Sequence, residues 1–243
     1  MLYRIARVAG LVVALLSGAA TAKADDLADF NAAVEAAAAH NRVAIGYLRT
    51  GNVDLASLEI DRLRAAWAKL SQRFSGKRPA AFDGNVLYAK TLVGIDARLV
   101  GADLLLKSGH LDGARQSLNA VRGDLYALRK SAHVMVLADC ILDSNKAAAA
   151  FMAYDKPDLD WNKPGTGPAV AEKAATYAKV LTRCDAMASE AIRNSSAFRR
   201  LVDEAQTELA KVPDAVANHD TAKLHRINGS LRAINNLLAF RFG

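Results

Sequence analysis

Apolar residues return at alternating steps of three and four along almost the whole chain, the period of helices that bury one face. Between residues 26 and 50 the stripe is Phe30, Val34, Ala37, Asn41, Ala44 and Leu48, and Gly51 follows as the residue that closes the helix. Asn52 can then cap a second helix by accepting a free backbone N–H. That helix carries Ala56, Ile60, Leu63, Trp67 and Leu70, and ends in the basic loop around Ser75–Pro79.

The plan then recurs 58 residues later. Tyr88, Leu92, Ile95, Leu99, Ala102 and Leu106 occupy the places of the first stripe, and Ala114, Leu118, Val121, Leu125 and Leu128 those of the second. The turn recurs as well, Leu48-Arg49-Thr50-Gly51-Asn52-Val53-Asp54 being matched by Leu106-Lys107-Ser108-Gly109-His110-Leu111-Asp112. An internal duplication of a helical hairpin is the direct reading.

After Leu128 the stripe slips by one residue, which turns the apolar face by about 100° and marks a boundary near Lys130–Ser131. The next stripe is His133, Leu137, Cys140, Ser144, Ala147, Phe151 and Tyr154, and the Pro-rich segment Asp155–Gly167 turns the chain back. The return stripe, Val170, Ala174, Tyr177, Leu181, Cys184, Ala188, Ala191, Ser195, Phe198, Val202, Ala205, Leu209 and Val212, keeps one register without an internal proline. It predicts a single rod of about 65 Å, with Asn194-Ser195-Ser196 as its weakest point. A last helix from about Asp220 buries Leu224, Ile227, Leu231, Ile234 and Leu238.

The expected fold is therefore all-α: antiparallel helical hairpins in an elongated bundle, either one long bundle or two four-helix bundles. Residues 25–130 form the duplicated half and residues 131–243 the long-helix half.

Composition changes this picture at one end. Arg4 and Arg7, the apolar run Val8–Ala20 and the small-residue site Ala22-Lys23-Ala24 mark residues 1–24 as a signal peptide, too short in its apolar core to span a bilayer. Its removal takes three positive charges and no acid from the formal +7, leaving a mildly basic mature chain of +4. The expected location is periplasmic or secreted, with no transmembrane segment in the mature chain. The charge is too small and too scattered to suggest nucleic acid as a partner.

Candidate chemistry is sparse. Cys140 and Cys184 lie equally far from Asn162 in the turn, so on antiparallel helices they fall at one height, and an oxidising compartment favours their joining in a disulfide. The rival is a soft metal or copper site built from His133, Met135, Cys140, Cys184 and Met187. Neither cysteine sits in Cys-x-x-Cys-His, which excludes covalent haem; haem held by a Met and a His needs no local motif. No cofactor is predicted, with haem or copper as the alternative. His40, His110, His219 and His225 lack the spacing of a zinc helix and read as exposed or capping residues. No nucleophile elbow, phosphate loop or paired acid–base motif occurs. Arg73, Lys77 and Arg78 form a basic loop able to meet a phosphate, and Lys223, Arg226 and Arg232 a basic strip able to dock an anionic ligand or a protein partner. The functional expectation is a non-enzymatic, exported helical bundle that binds or scaffolds, the alternative being a haem- or metal-binding carrier.

Overall fold

The computed structural model describes residues 16–243, so the expected leader, residues 1–24, lies for the most part outside the described residues. Every regular element among the described residues is helical: α1 (Leu16–Arg49), α2 (Val53–Ser75), α3 (Leu87–Lys107), α4 (Leu111–Ser131), α5 (Leu137–Met152), α6 (Thr166–Met187), α7 (Glu190–Arg193), α8 (Ser196–Leu209), α9 (Val212–Ala217) and α10 (Thr221–Phe242), with one 3-10 turn at Ala80–Phe82. They fall into two compact units, one ending at Val134 and the other beginning at Met135.

In the first unit α1 pairs with α2, α2 with α3, α3 with α4, and α4 closes back on α1. All the stripe positions are buried, in both copies of the hairpin. The duplication extends to individual turn hydrogen bonds. Asn52 N–H donates to Tyr47 O at 3.0 Å and His110 N–H to Leu105 O at 2.8 Å, while Gly51 and Gly109 both take the left-handed φ (73° and 79°). A β-carbon is disfavoured at that φ, which is why the turn holds a glycine in each copy. Asn52 caps α2 as expected, its Oδ1 accepting Leu55 N–H at 3.2 Å.

Two buried side chains of this bundle donate to backbone carbonyls on other helices. Asn41 Nδ2 donates to Leu118 O at 3.1 Å between α1 and α4, and Trp67 Nε1 to Leu92 O at 3.2 Å between α2 and α3. One end of the bundle is filled by rings: Phe30 meets Phe74, Phe82 and Tyr88 at centroid distances of 5.3, 5.4 and 5.9 Å.

In the second unit α5 pairs with α6, α6 with α8, α8 with α10, and α10 returns to α5. Cys140 on α5 and Cys184 on α6 are fully buried and joined in a disulfide, with Cα atoms 5.4 Å apart. Trp161, in the turn between these helices, donates through Nε1 to Thr221 Oγ1 at 2.8 Å and stacks on His219 with ring centroids 5.6 Å apart, which pins that Pro-rich segment to the start of α10.

Three expectations change. The first helix extends ahead of the expected Asp26, its described part reaching back to Leu16, because the Ala-rich segment there continues the helix. His133 is not on a helix: α4 stops at Ser131, and His133 takes φ 55° while Val134 N–H closes onto Arg129 O at 2.9 Å. The 170–212 rod does not form. Ala188 is extended (ψ 137°), Ser189 Oγ accepts Ile192 N–H and Ser195 Oγ accepts Phe198 N–H, so each serine starts a new helix. Arg193 folds back over the end of α6 and donates to Asp185 O, Ala186 O and Ala188 O at 3.0, 2.7 and 2.9 Å, satisfying carbonyls that a continuous helix would have satisfied itself. The register of burial survives the break, since Ala188 and Phe198 are both in the core, but Ala191 is exposed.

Candidate functional site

The residues singled out in the sequence are mostly occupied by partners within the fold. Both cysteine sulfurs of the proposed metal set are consumed in the disulfide, His133 and Met135 are exposed, and Met187 packs against the second core. Among the described residues no three His, Cys, Asp or Glu side chains are grouped as a metal site. In the basic loop Arg73 pairs with Asp29, Lys77 with Asp26 at 3.1 Å, and Arg78 lies 5.0 Å over the ring of Tyr88. Of the basic strip on α10, Lys223 pairs with Asp214 and Arg232 with Asp155 at 3.1 Å, while Arg226 is exposed.

The histidines divide. His110 and His219 sit at helix ends, but His40 and His225 are each held by a carboxylate: His225 Nδ1 is 2.7 Å from Asp155 Oδ1, and His40 Nδ1 is 2.7 Å from Glu59 Oε2. Sequence spacing could not show either pair, because the partners are on different elements. Glu59 also accepts from Arg62 at 2.6 Å. Burial pushes its carboxyl upward, yet the hydrogen bonds and charges of His40 and Arg62 together outweigh this and hold it below its ordinary value. A carboxyl depressed in the folded state stabilises above its unfolded value, and that stability is lost as pH falls through the folded one. Glu59→Gln is thus expected to cost about 1.5–3 kcal/mol at neutral pH and progressively less in acid. Urea unfolding at both pH values checks this; an unchanged difference would mean that the charge contributes nothing.

Among the described residues the three most exposed large hydrophobic side chains lie along the outer face of α3. Helices of bundles are polar on the side away from the core, but here Val86 is 86% exposed, Val93 71% and Leu104 62%, with Val100 also open. At 100° per residue these four and Ala97 form one ridge opposite the buried stripe of Leu92, Ile95 and Leu99. Grooves run along both sides of the ridge. Towards α2 a pocket of about 350 Å³ is lined by Ser71, Arg78, Tyr88, Val93 and Asp96. Towards α4 a pocket of about 500 Å³ is lined by Lys90, Gly94, Gly101 and the pair Arg98–Asp124 (2.5 Å). The Tyr88 phenol at the floor of the first groove is pushed up to about 12 by burial, against a lowering by Arg78, so it is neutral and donates to Phe74 O at 3.0 Å.

The duplication supplies an internal control. The positions of α1 that correspond to Val93 and Val100 are Glu35 and Arg42, which form an ion pair at 2.5 Å. The same hairpin, with the same buried stripe, is thus compatible with charge at these places. Sequence periodicity missed this face because a stripe search follows the strongest apolar side, and α3 is apolar on two sides; comparing outer positions of the two copies would have found it.

No family model, curated protein or solved structure matches the chain. No helix among the described residues is long and apolar enough to cross a membrane.

Proposed function

We propose that this is an exported, non-enzymatic helical-bundle protein that acts as a binding or scaffolding module in the periplasm, and that the outer face of α3 is its docking surface. The leader-like residues 1–24 and the buried disulfide support an oxidising location. The observation that carries the docking role is the exposed Val86, Val93, Val100 and Leu104 ridge, set where the duplicate helix carries an ion pair. Contiguous exposed apolar surface mark interaction sites on proteins that otherwise keep polar outer faces. Recognition then rests on apolar contact in the two grooves, and its core consists of aliphatic side chains in place of reactive groups.

A photo-crosslinking residue at Val93, in protein exported by its native host, tests this. A discrete adduct is expected at position 93 and none at Lys179, an exposed position of the second unit. Absence of any adduct at 93 would remove the reading.

A further inference from the structure

The docking face has a relief that matches itself, and we infer that its occupant is a second copy of this chain, bound through α3 against α3 about a twofold axis parallel to the helices. The inference rests on the proposal that α3 is the docking surface, and adds the identity of the partner.

Two glycines interrupt α3, Gly94 and Gly101, each next in sequence to a ridge valine. A glycine inside a helix costs about 1 kcal/mol relative to alanine. Packing within the chain does not call for either one: a β-carbon added at Gly94 or Gly101 would meet nothing within 4 Å. The corresponding residues of α1 are Ala36 and Val43. The two helices therefore differ in a coordinated way, Glu35-Ala36 and Arg42-Val43 on α1 becoming Val93-Gly94 and Val100-Gly101 on α3. Bare backbone beside an apolar knob, repeated one heptad apart, is what close helix approach uses.

Around the helix, Val93 and Val100 lie to one side of Ala97 and Gly94 and Gly101 to the other. A twofold parallel to α3 carries each side of one helix to face the opposite side of its mate at the same height. Val93 then lies against the partner's Gly94, Val100 against the partner's Gly101, and the two Ala97 residues meet at the axis. Such an interface is isologous and closed, so it ends at a dimer. Charge agrees with this pairing. Asp96 is exposed and carries no ion pair among the described residues, and the same rotation brings the partner's Arg98 to its side within one turn in height. Arg98 holds Asp124 through Nε and one terminal nitrogen, which leaves its other terminal N–H groups for a second carboxylate.

Sedimentation of the purified protein over a wide concentration range tests the inference. A reversible monomer–dimer equilibrium is expected. The double variant V93E/V100R, which copies the outer pair of α1, is expected to raise the dimer dissociation constant by ~100-fold or more, as two buried contacts at about tenfold each require, without moving the thermal transition of the first unit measured at concentrations where the wild type is monomeric. Ala97→Cys should form a disulfide-linked dimer on mild oxidation, whereas Ala39→Cys, its exposed counterpart on α1, should not. The cysteine pair remains decisive should V93E/V100R fail to fold. A wild-type protein that stays monomeric, a dimer indifferent to V93E/V100R, or equal crosslinking at 39 and 97 would each overturn the inference. A photo-adduct at Val93 with a different protein, beside a monomeric wild type, overturns the second copy as occupant and leaves the docking surface in place; a monomer with no adduct removes both.

Discussion

Opening the Cys140–Cys184 bond is expected to cost the second unit about 4 kcal/mol, since the loop it closes spans a sequence separation of 44 and cross-linking removes that much entropy from the unfolded chain. For a unit of this size the whole stability is about 5–15 kcal/mol, so the loss is a large fraction. Its melting transition should fall by roughly 16–32 °C at ~4–8 °C per kcal/mol. C140A/C184A is the suitable variant, because both sites are fully buried and a serine hydroxyl there would add the cost of an unpaired polar group. The first unit holds no cysteine and should melt unchanged. The two tryptophans make the units separately visible, Trp67 lying in the first and Trp161 in the second. A shift seen by Trp67 as large as that seen by Trp161, or no shift at all, would contradict this account. Denatured, unreduced protein should also show no free thiol.

Phe30→Ala should do the converse and lower the first unit by about 3–5 kcal/mol, the range for truncating a buried phenylalanine. Phe30 is fully buried and touches Phe74, Phe82 and Tyr88, which come from α2, the 3-10 turn and α3. The surroundings cannot collapse into the space without breaking a three-sided ring contact, so the upper part of that range is expected. Tyr88→Phe is the control: it keeps the ring contacts, loses the bond to Phe74 O, and should cost only about 1 kcal/mol. Guanidinium unfolding followed by Trp67 fluorescence measures both. Equal effects of the two substitutions would show that the ring cluster is not what holds this end of the bundle.

Sequence alone determined the helical class, the duplicated hairpin, its buried stripe and the joining of Cys140 with Cys184. These follow from local rules. A helix that must bury one face leaves a 3.6-residue signature in its own residues, a left-handed turn selects glycine, and equal distance from a turn fixes equal height on antiparallel helices. Where a local rule was satisfied by another residue, it misled. Histidine takes the left-handed position at His133 and His219 that glycine takes at Gly51 and Gly109, so the stripe places His133 on a helix that begins only at Leu137. The 170–212 stripe kept its register across two serine caps, so burial alone predicted a rod that Ser189, Ser195 and Arg193 divide. Only the tertiary structure decided which polar groups are spoken for. Asp155 reaches His225 and Arg232 across some seventy residues of chain, and Glu59 reaches His40 on another helix. It also decided which of the two apolar sides of α3 is covered. Periodicity counts apolar positions within one helix, whereas exposure depends on which neighbours that helix has, and those neighbours are set by contacts far apart in sequence.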